Sequence, residues 1–312
     1  FIKESLMTEL ANINTDSYEN LARAMGMATD KPAKRSNTLN RLRIWHSPIM
    51  GKAEINGKLS NVEVVEGGCY RLEIVKEDSS TFLFSKNITI RPFMQRFMLK
   101  RYVANPSAKG GESKGSFHRT IMADSLNMDL KDNTGRFNCG KPSGYVQDFQ
   151  ALPKDMQDLI RQIKRVRVVF GTVTLDSPVD DKGILVEDGT DFPFIWEVDN
   201  KDAFKIFGDK FAEFSAKSVL PIQHAIHFNG TNANPLPNGS KFYTPIAEVD
   251  FSASFDMTEE DQKLFKDFND FVKNFNDYIC KEWDNRVQNR QGEVSKEDIQ
   301  VVEDFIDIED SQ

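Results

Sequence analysis

The 312-residue chain carries 48 acidic and 40 basic side chains, a formal net charge of −8 and 39% hydrophobic residues. That length suits about two domains, or one with large insertions, and supplies a core without disulfides or metals. The acidic total excludes a protein that is basic throughout, and no apolar run approaches the ~18–20 residues that cross a bilayer.

In chain order, six residues precede Met7, which reads as an initiator. The start has no basic head, apolar run and cleavage site of a secretory signal, so the sequons at Asn87, Asn229 and Asn238 read as chance. Residues 4–26 read as one or two short helices with Leu6, Leu10, Leu21 and Met25 as apolar points. A polar, basic linker over 30–40 follows, and 1–40 is taken as a helical, basic N-terminal arm. From Arg41 to Val103 the pattern becomes strands, at 41–47, 51–57, 58–66, 69–75, 81–85, 87–93 and 95–103. Turns are expected at Asn56-Gly57, Gly67-Gly68 and 77–80.

The Gly/Ser/Lys-rich segment 105–116 reads as the longest hairpin connection. Strands resume at 117–124 and 135–140. A helix is predicted over 153–165, with Met156, Leu159, Ile160 and Ile163 at helical spacing. Strands at 166–176 and 192–198, a helix at 202–216 and strands at 223–228 and 241–255 complete the core region, 41–255. An amphipathic helix over 258–287, within a segment 256–292, is capped by Thr258 with Asp261 three residues on. Its apolar stripe is Leu264, Phe268, Phe271, Val272, Phe275, Ile279 and Trp283. Short strands at ~8–12-residue spacing make the fold class α+β, rich in antiparallel strands that form a small barrel or sandwich.

Charge is strongly polarised. Residues 31–120 hold 17 basic and 7 acidic groups, whereas 256–312 hold 7 and 17. The tail, 293–312, has eight carboxylates and one basic residue, Lys296, with apolar side chains interspersed. It buries too little apolar surface to offset its ordering entropy, and is expected to be mobile. Glu303, Asp304, Phe305, Asp307, Glu309 and Asp310 suit it to mimic a polyanion over a basic groove or to dock on a basic partner.

Catalytic motifs are missing. The segment 140–144, GKPSG, lacks the upstream glycine and order of a phosphate-binding loop, and neither G-x-G-x-x-G nor G-x-S-x-G occurs. His224 and His227 lie three apart in a predicted strand, so they point to opposite faces. Asp124, Asp129 and Asp132 suit a divalent cation in a nuclease, but their segment has the composition of a polar turn. The chain is therefore read as a non-enzyme with no cofactor and no metal. The cysteines Cys69, Cys139 and Cys280 are odd in number and far apart. They fit no disulfide framework and point to a reducing compartment, the cytoplasm, or the host cytoplasm for a viral protein.

Within the basic half, aromatic residues interleave with the cations, the combination that single-stranded nucleic acid requires. Lys and Arg track phosphates while exposed rings stack on bases. The candidate binding residues are Arg41, Arg43, Trp45, Lys100, Arg101, Tyr102, Lys109, Lys114, Arg119, Lys164, Arg165 and Arg167. Alternation in a strand puts Arg41, Arg43 and Trp45 on one face. Phe97 and Phe117 read instead as core rings.

This layout, a basic aromatic core followed by the acidic tail EDFIDIEDSQ with Phe305 as its aromatic tooth, resembles the single-stranded DNA-binding proteins of bacteriophage replication, of the T7 and T4 type. The resemblance implies an oligonucleotide-binding (OB-like) antiparallel barrel with inserted and C-terminal helices. It implies a role in DNA replication, recombination or repair, and a tail that recruits polymerase or helicase/primase. The chain departs from that pattern because Phe305 is not terminal and because the zinc cluster of the T4 type is missing. The expected partners are single-stranded DNA, replication proteins and further copies of the chain, with no membrane. The alternative is a virion structural or assembly protein.

Overall fold

The computed structural model describes residues 39–55, 58–75, 79–104, 115–126, 139, 148–187, 190–237 and 239–291. The expectations for the N-terminal arm, the Asn56-Gly57 turn, Lys109, Lys114 and the acidic tail lie outside the described residues. The elements are β1 (Asn40–Ile44), β2 (Ile49–Ile55), β3 (Lys58–Val65), β4 (Tyr70–Val75), β5 (Ser80–Ser85), β6 (Asn87–Ala104) and β7 (Gly115–Arg119). Then come α1 (Lys154–Gln162), β8 (Lys164–Leu175), β9 (Phe192–Val198), α2 (Lys201–Ala216), a 3₁₀ turn (Pro221–Gln223), β10 (Ala225–Pro235), β11 (Lys241–Asp250) and α3 (Glu259–Gln291).

Nine strands form one sheet in the order β11-β10-β6-β8-β9-β1-β4-β5, with β7 pairing the far end of β6, while β2 and β3 make a separate hairpin. All the main-sheet pairings are antiparallel except β1 with β9. The mixed α and β composition dominated by an antiparallel sheet is as the strand spacing implies. The ladders do not close it into a barrel, because β11 and β5 end the path among the described residues. Contacts do curl it. Tyr70 Oη donates to Gly230 O at 2.7 Å, and Thr231 Oγ1 donates to Gly68 O at 2.9 Å.

Helices cover both faces, which is why β8 reads as a near-continuous apolar run rather than an alternating one. On one face Leu42, Leu72, Val169, Val173, Trp196 and Phe228 pack with Ala203, Phe207, Phe211 and Phe214, the stripe of α2. Asn200 caps that helix, accepting from the backbone N–H of Asp202 and Ala203 at 3.0 Å each. On the other face Phe93, Met98, Val166, Val168, Phe170 and Ile195 pack with Phe268 and Val272 of α3. The expected cap of α3 is present, since Asp261 N donates to Thr258 Oγ1 and Thr258 N to Asp261 Oδ2.

Beyond shifted bounds at 117–124 (β7, Gly115–Arg119), 223–228 (β10, Ala225–Pro235) and 241–255 (β11, Lys241–Asp250), two segments differ from the sequence reading. Residues 87–93 and 95–103 are one 18-residue strand, β6, whose ladder shifts between Pro92 and Met94. Proline has no N–H to give the ladder, so the chain bulges there rather than ends. Gly171 lies opposite Pro92, and a Cβ on it would collide with the Arg91 carbonyl oxygen. The second difference is that α1 stops at Gln162 and Lys164 already belongs to β8.

Candidate nucleic-acid interface

The strand registers sort the predicted cations by face. Arg43 stands opposite Arg71, and Arg41 opposite Glu73. Glu73 stands opposite Phe82, and the parallel register sets Arg41 beside Ile195. Ile195 packs on the α3 side, so this whole set shares that face, as does Glu197, two residues on. Farther across, Val168 stands opposite Glu197, Lys164 opposite Lys100, Lys100 opposite Arg119 and Tyr102 opposite Phe117. Alternation along β8 keeps Lys164 on the face of Val166 and Val168. The structure thus brings Arg41, Arg43, Trp45, Lys100, Tyr102, Arg119 and Lys164 onto one face, spread over β4-β1-β9-β8-β6-β7 and bordered by Phe82 of β5. On this face Ile195, Val166 and Val168 are buried beneath Phe268 and Val272 of α3, so the strip consists of two groups, Arg41, Arg43 and Arg71 on β1 and β4, and Lys100, Lys164 and Arg119 on β6, β8 and β7.

Its electrostatics are those of cations sharing carboxylates. Glu73 Oε2 lies 3.5 Å from Arg43 Nη2 and 3.8 Å from Arg71 Nη2. Asp199 Oδ2 lies 3.1 Å from Lys100 Nζ and 3.5 Å from Lys164 Nζ. Glu197 pairs with Lys100 at 3.7 Å and with Arg119 at 3.2 Å. Six cations face three carboxylates, a positive surplus on a chain whose total is −8. Burial opposes ionisation of Asp199, but Lys100 and Lys164 outweigh it and hold its carboxyl below the usual range. Burial lowers the His46 imidazole, against the pull of Asp199.

The aromatic members divide by exposure. Phe117 is 47% exposed, with its ring 5.0 Å from that of Tyr102 and 5.0 Å from Lys100 Nζ. Expected in the core, it lies instead at the open end of the strip, because among the described residues β7 is a short edge strand paired only with β6. Phe97 does pack inward, against Phe204 at 6.3 Å. Trp45 is half-buried beside Val65, Cys69 and Phe84, and the Arg71 guanidinium stacks on its ring at 4.2 Å and on Phe82 at 4.8 Å. Burial, then the neighbouring Arg43, lower the Arg71 pKa against the pull of Glu73. Two N–H donors here, Trp45 Nε1 and Arg71 Nε, are buried without a hydrogen-bond partner among the described residues. Each such donor costs about 1–3 kcal/mol.

Three predicted residues are elsewhere. Arg167 points to the α2 face, enclosed by Phe97, Phe204 and Phe211 at 4.9, 4.8 and 5.7 Å, with Gln95 Oε1 accepting from Nη1. Burial lowers its pKa to about 10. Arg165 is exposed, but alternation sets it on the same side as Arg167. Arg101 is only 2% exposed, opposite His118. None of the three adds to the strip.

The sequence marks Tyr70-Arg71 as one of its basic–aromatic pairs, but the candidate binding set leaves out Arg71, Glu73, Phe82, Glu197 and Asp199. Alternation in the β4 segment YRLEIV sets Arg71 and Glu73 opposite Leu72, and pairing that segment with β1 would have found them. Among the other candidates, Asp124 is ion-paired with Arg96 at 3.3 Å, while Asp129 and Asp132 lie outside the described residues. His227 Nδ1 shares a hydrogen bond with Thr89 Oγ1 and His224 Nδ1 one with Ala253 O, both at 2.9 Å. No described helix is long and apolar enough to cross a membrane. No protein-family model, no curated protein and no solved structure matches the chain.

Proposed function

We propose that the chain is a non-enzymatic single-stranded DNA-binding protein of replication, recombination or repair, with the layout of the bacteriophage proteins and a site of action in the cytoplasm of a host. The observation that carries this reading is the strip itself. Arg41, Arg43, Arg71, Lys100, Arg119 and Lys164 share one sheet face with Trp45, Phe82, Tyr102 and Phe117. Phosphates exchange their counterions for these side chains, and unpaired bases stack on the rings at about 1–3 kcal/mol each. A duplex hides the base faces that such rings recognise, so a single strand is the better ligand.

In this reading the curled sheet works as an OB-like platform. The links from Tyr70 to Gly230 and from Thr231 to Gly68 hold its curvature, and a curved basic aromatic surface is what the ligand requires of a barrel. The acidic tail, with Glu303, Asp304, Phe305, Asp307, Glu309 and Asp310, recruits polymerase or helicase/primase.

The test is a titration with fluorescent oligo-dT and with duplex DNA of equal length at several salt concentrations. Preference for the single strand that weakens steeply with salt supports the reading. No binding at low salt, with or without residues 293–312, removes it.

A second reading, a virion structural or assembly protein, draws on the separate β2–β3 hairpin, where Met50 is 55% and Leu59 76% exposed. Sedimentation to a large, salt-dependent oligomer without DNA would favour it.

A further inference from the structure

The carboxylates of the strip each bridge two cations, as a phosphodiester does when it crosses a basic surface. At Glu73 this bridging is poor. Charge-assisted N–H···O bonds run at about 2.7–2.9 Å, yet the same Glu73 oxygen stands 3.5 Å from Arg43 and 3.8 Å from Arg71. The other oxygen accepts from Ser80 Oγ at 3.3 Å, so the carboxylate is shared between β5 and the guanidiniums. Next to it lie two buried donors that have no acceptor among the described residues, Arg71 Nε and Trp45 Nε1. Arg71 itself is 9% exposed and fixed between the Trp45 and Phe82 rings. Two guanidiniums facing each other in register, unused N–H groups and an indole together ask for an anion attached to a flat ring.

We propose that Arg43, Arg71 and Trp45 form a seat for one nucleotide of the single strand, and that Glu73 holds the place of its phosphate until the strand arrives. The phosphodiester takes the guanidinium donors, the base lies against the Trp45–Phe82 side, and Glu73 remains with Ser80. A phosphodiester suits this seat better than a carboxylate. Its non-bridging oxygens reach two forked guanidiniums at once, and its neighbouring base supplies the ring that the aromatic side chains are placed to meet. Glu73 then acts as a built-in competitor that lowers affinity and limits retention of other anions. The inference rests on the single-strand reading and assigns one subsite within it.

The decisive variant is Glu73→Gln, which keeps the shape and the Ser80 contact while removing the competing charge. At about 50 mM salt, where surface charge is least screened, its affinity for oligo-dT of about 12 nucleotides is expected to rise about fivefold, roughly 1 kcal/mol. Unchanged or weaker binding by a variant that melts like the wild type overturns the inference.

A second measurement needs no change at Glu73. In a Trp283→Phe background the emitting indoles are Trp45 and Trp196, and Trp196 is 3% exposed on the opposite face. Oligo-dT is expected to quench Trp45, with quenching that saturates along the binding curve measured by anisotropy. Binding that leaves the emission unchanged also overturns the seat.

The two levels separate cleanly. If the wild type does not bind oligo-dT at low salt, the single-strand reading falls. If it binds and Arg119→Ala weakens it, while Glu73→Gln has no effect and Trp45 is silent, only the seat falls.

Discussion

Replacing Asp261 by Asn tests how α3 is fixed to the sheet. Asp261 closes the capping box with Thr258, the two bonds measuring 2.9 and 3.1 Å. Its other oxygen accepts from Arg91 Nη1 at 2.9 Å, between side chains 17% and 11% exposed. Arg91 in turn donates to Ile222 O at 2.6 Å and to Asp256 O at 3.2 Å, so one carboxylate joins β6, the 3₁₀ turn and the start of α3.

The neutral amide weakens a cap, at about 1 kcal/mol, and a charge-assisted bond, at about 1.5–3 kcal/mol. Because it still offers one acceptor, the net loss is about 2–3 kcal/mol. For a unit of this size that lowers Tm by about 5–10 °C.

The loss is pH-dependent. Burial opposes ionisation of Asp261, but the Thr258 N–H and the Arg91 guanidinium outweigh it and hold its carboxyl below the usual range. A carboxyl lowered on folding contributes stability that is full above its unfolded value of about 3.9. That contribution is lost as pH falls through the lower folded value. Thermal melts of both proteins at pH 7 and at about pH 2.5 should therefore show a gap that shrinks in acid, as the wild-type carboxyl takes up its proton. An equal gap at both pH values would falsify the argument that the charge, rather than the shape, holds the helix.

Three further outcomes follow from the placement of side chains. Lys164→Ala should reduce the slope of log affinity against log salt by about 0.7, the value for one phosphate contact on a single strand; a parallel line at lower affinity would remove Lys164 from the phosphate path. Phe117→Ala should weaken oligo-dT binding by about 1–3 kcal/mol with little change in Tm, whereas Phe97→Ala should cost mainly stability, so the reverse pattern would exchange their roles. Arg167→Met fills similar space without a buried charge, so Tm should hold or rise and the affinity for DNA should stay the same; a loss of affinity would move Arg167 back to the interface.

Much of the architecture was legible because it depends on local pattern. The helix over 202–216, the Thr258–Asp261 cap and the alternation of Arg41 and Arg43 are each set within one element. What was not legible depends on which strands meet. Nothing local says that β1 pairs with β9 in parallel, yet that pair sets Arg41 and Glu197 on one face. The run Lys164-Arg165-Val166-Arg167 reads as one basic cluster, but its strand begins two residues earlier than the helical spacing suggested. Alternation then sends Arg165 and Arg167 away from Lys164. Pro92 misled in a similar way, since a bulge lets β6 run on and carry Lys100 to the strip.

The contrast between Arg71 and Arg167 separates a cation poised for a ligand from one that belongs to the core. Both lose charge preference to burial, both have a buried Nε without a partner among the described residues, and both lie against aromatic rings. Arg167 is closed in by α2, where Gly208 leaves room for its guanidinium: a Cβ there would lie 3.1 Å from Nη2. Its cost is offset by three rings and Gln95, and no second cation is paired with it in the ladder, where Phe97 and Val198 are its neighbours. Arg71 faces Arg43 directly, and 46% of that side chain is exposed. Two like charges held side by side at the edge of solvent repel each other, and one distant carboxylate relieves this only in part. A fold retains such a pair at low cost when an anion is regularly present, which is the role the proposed phosphate seat assigns to it.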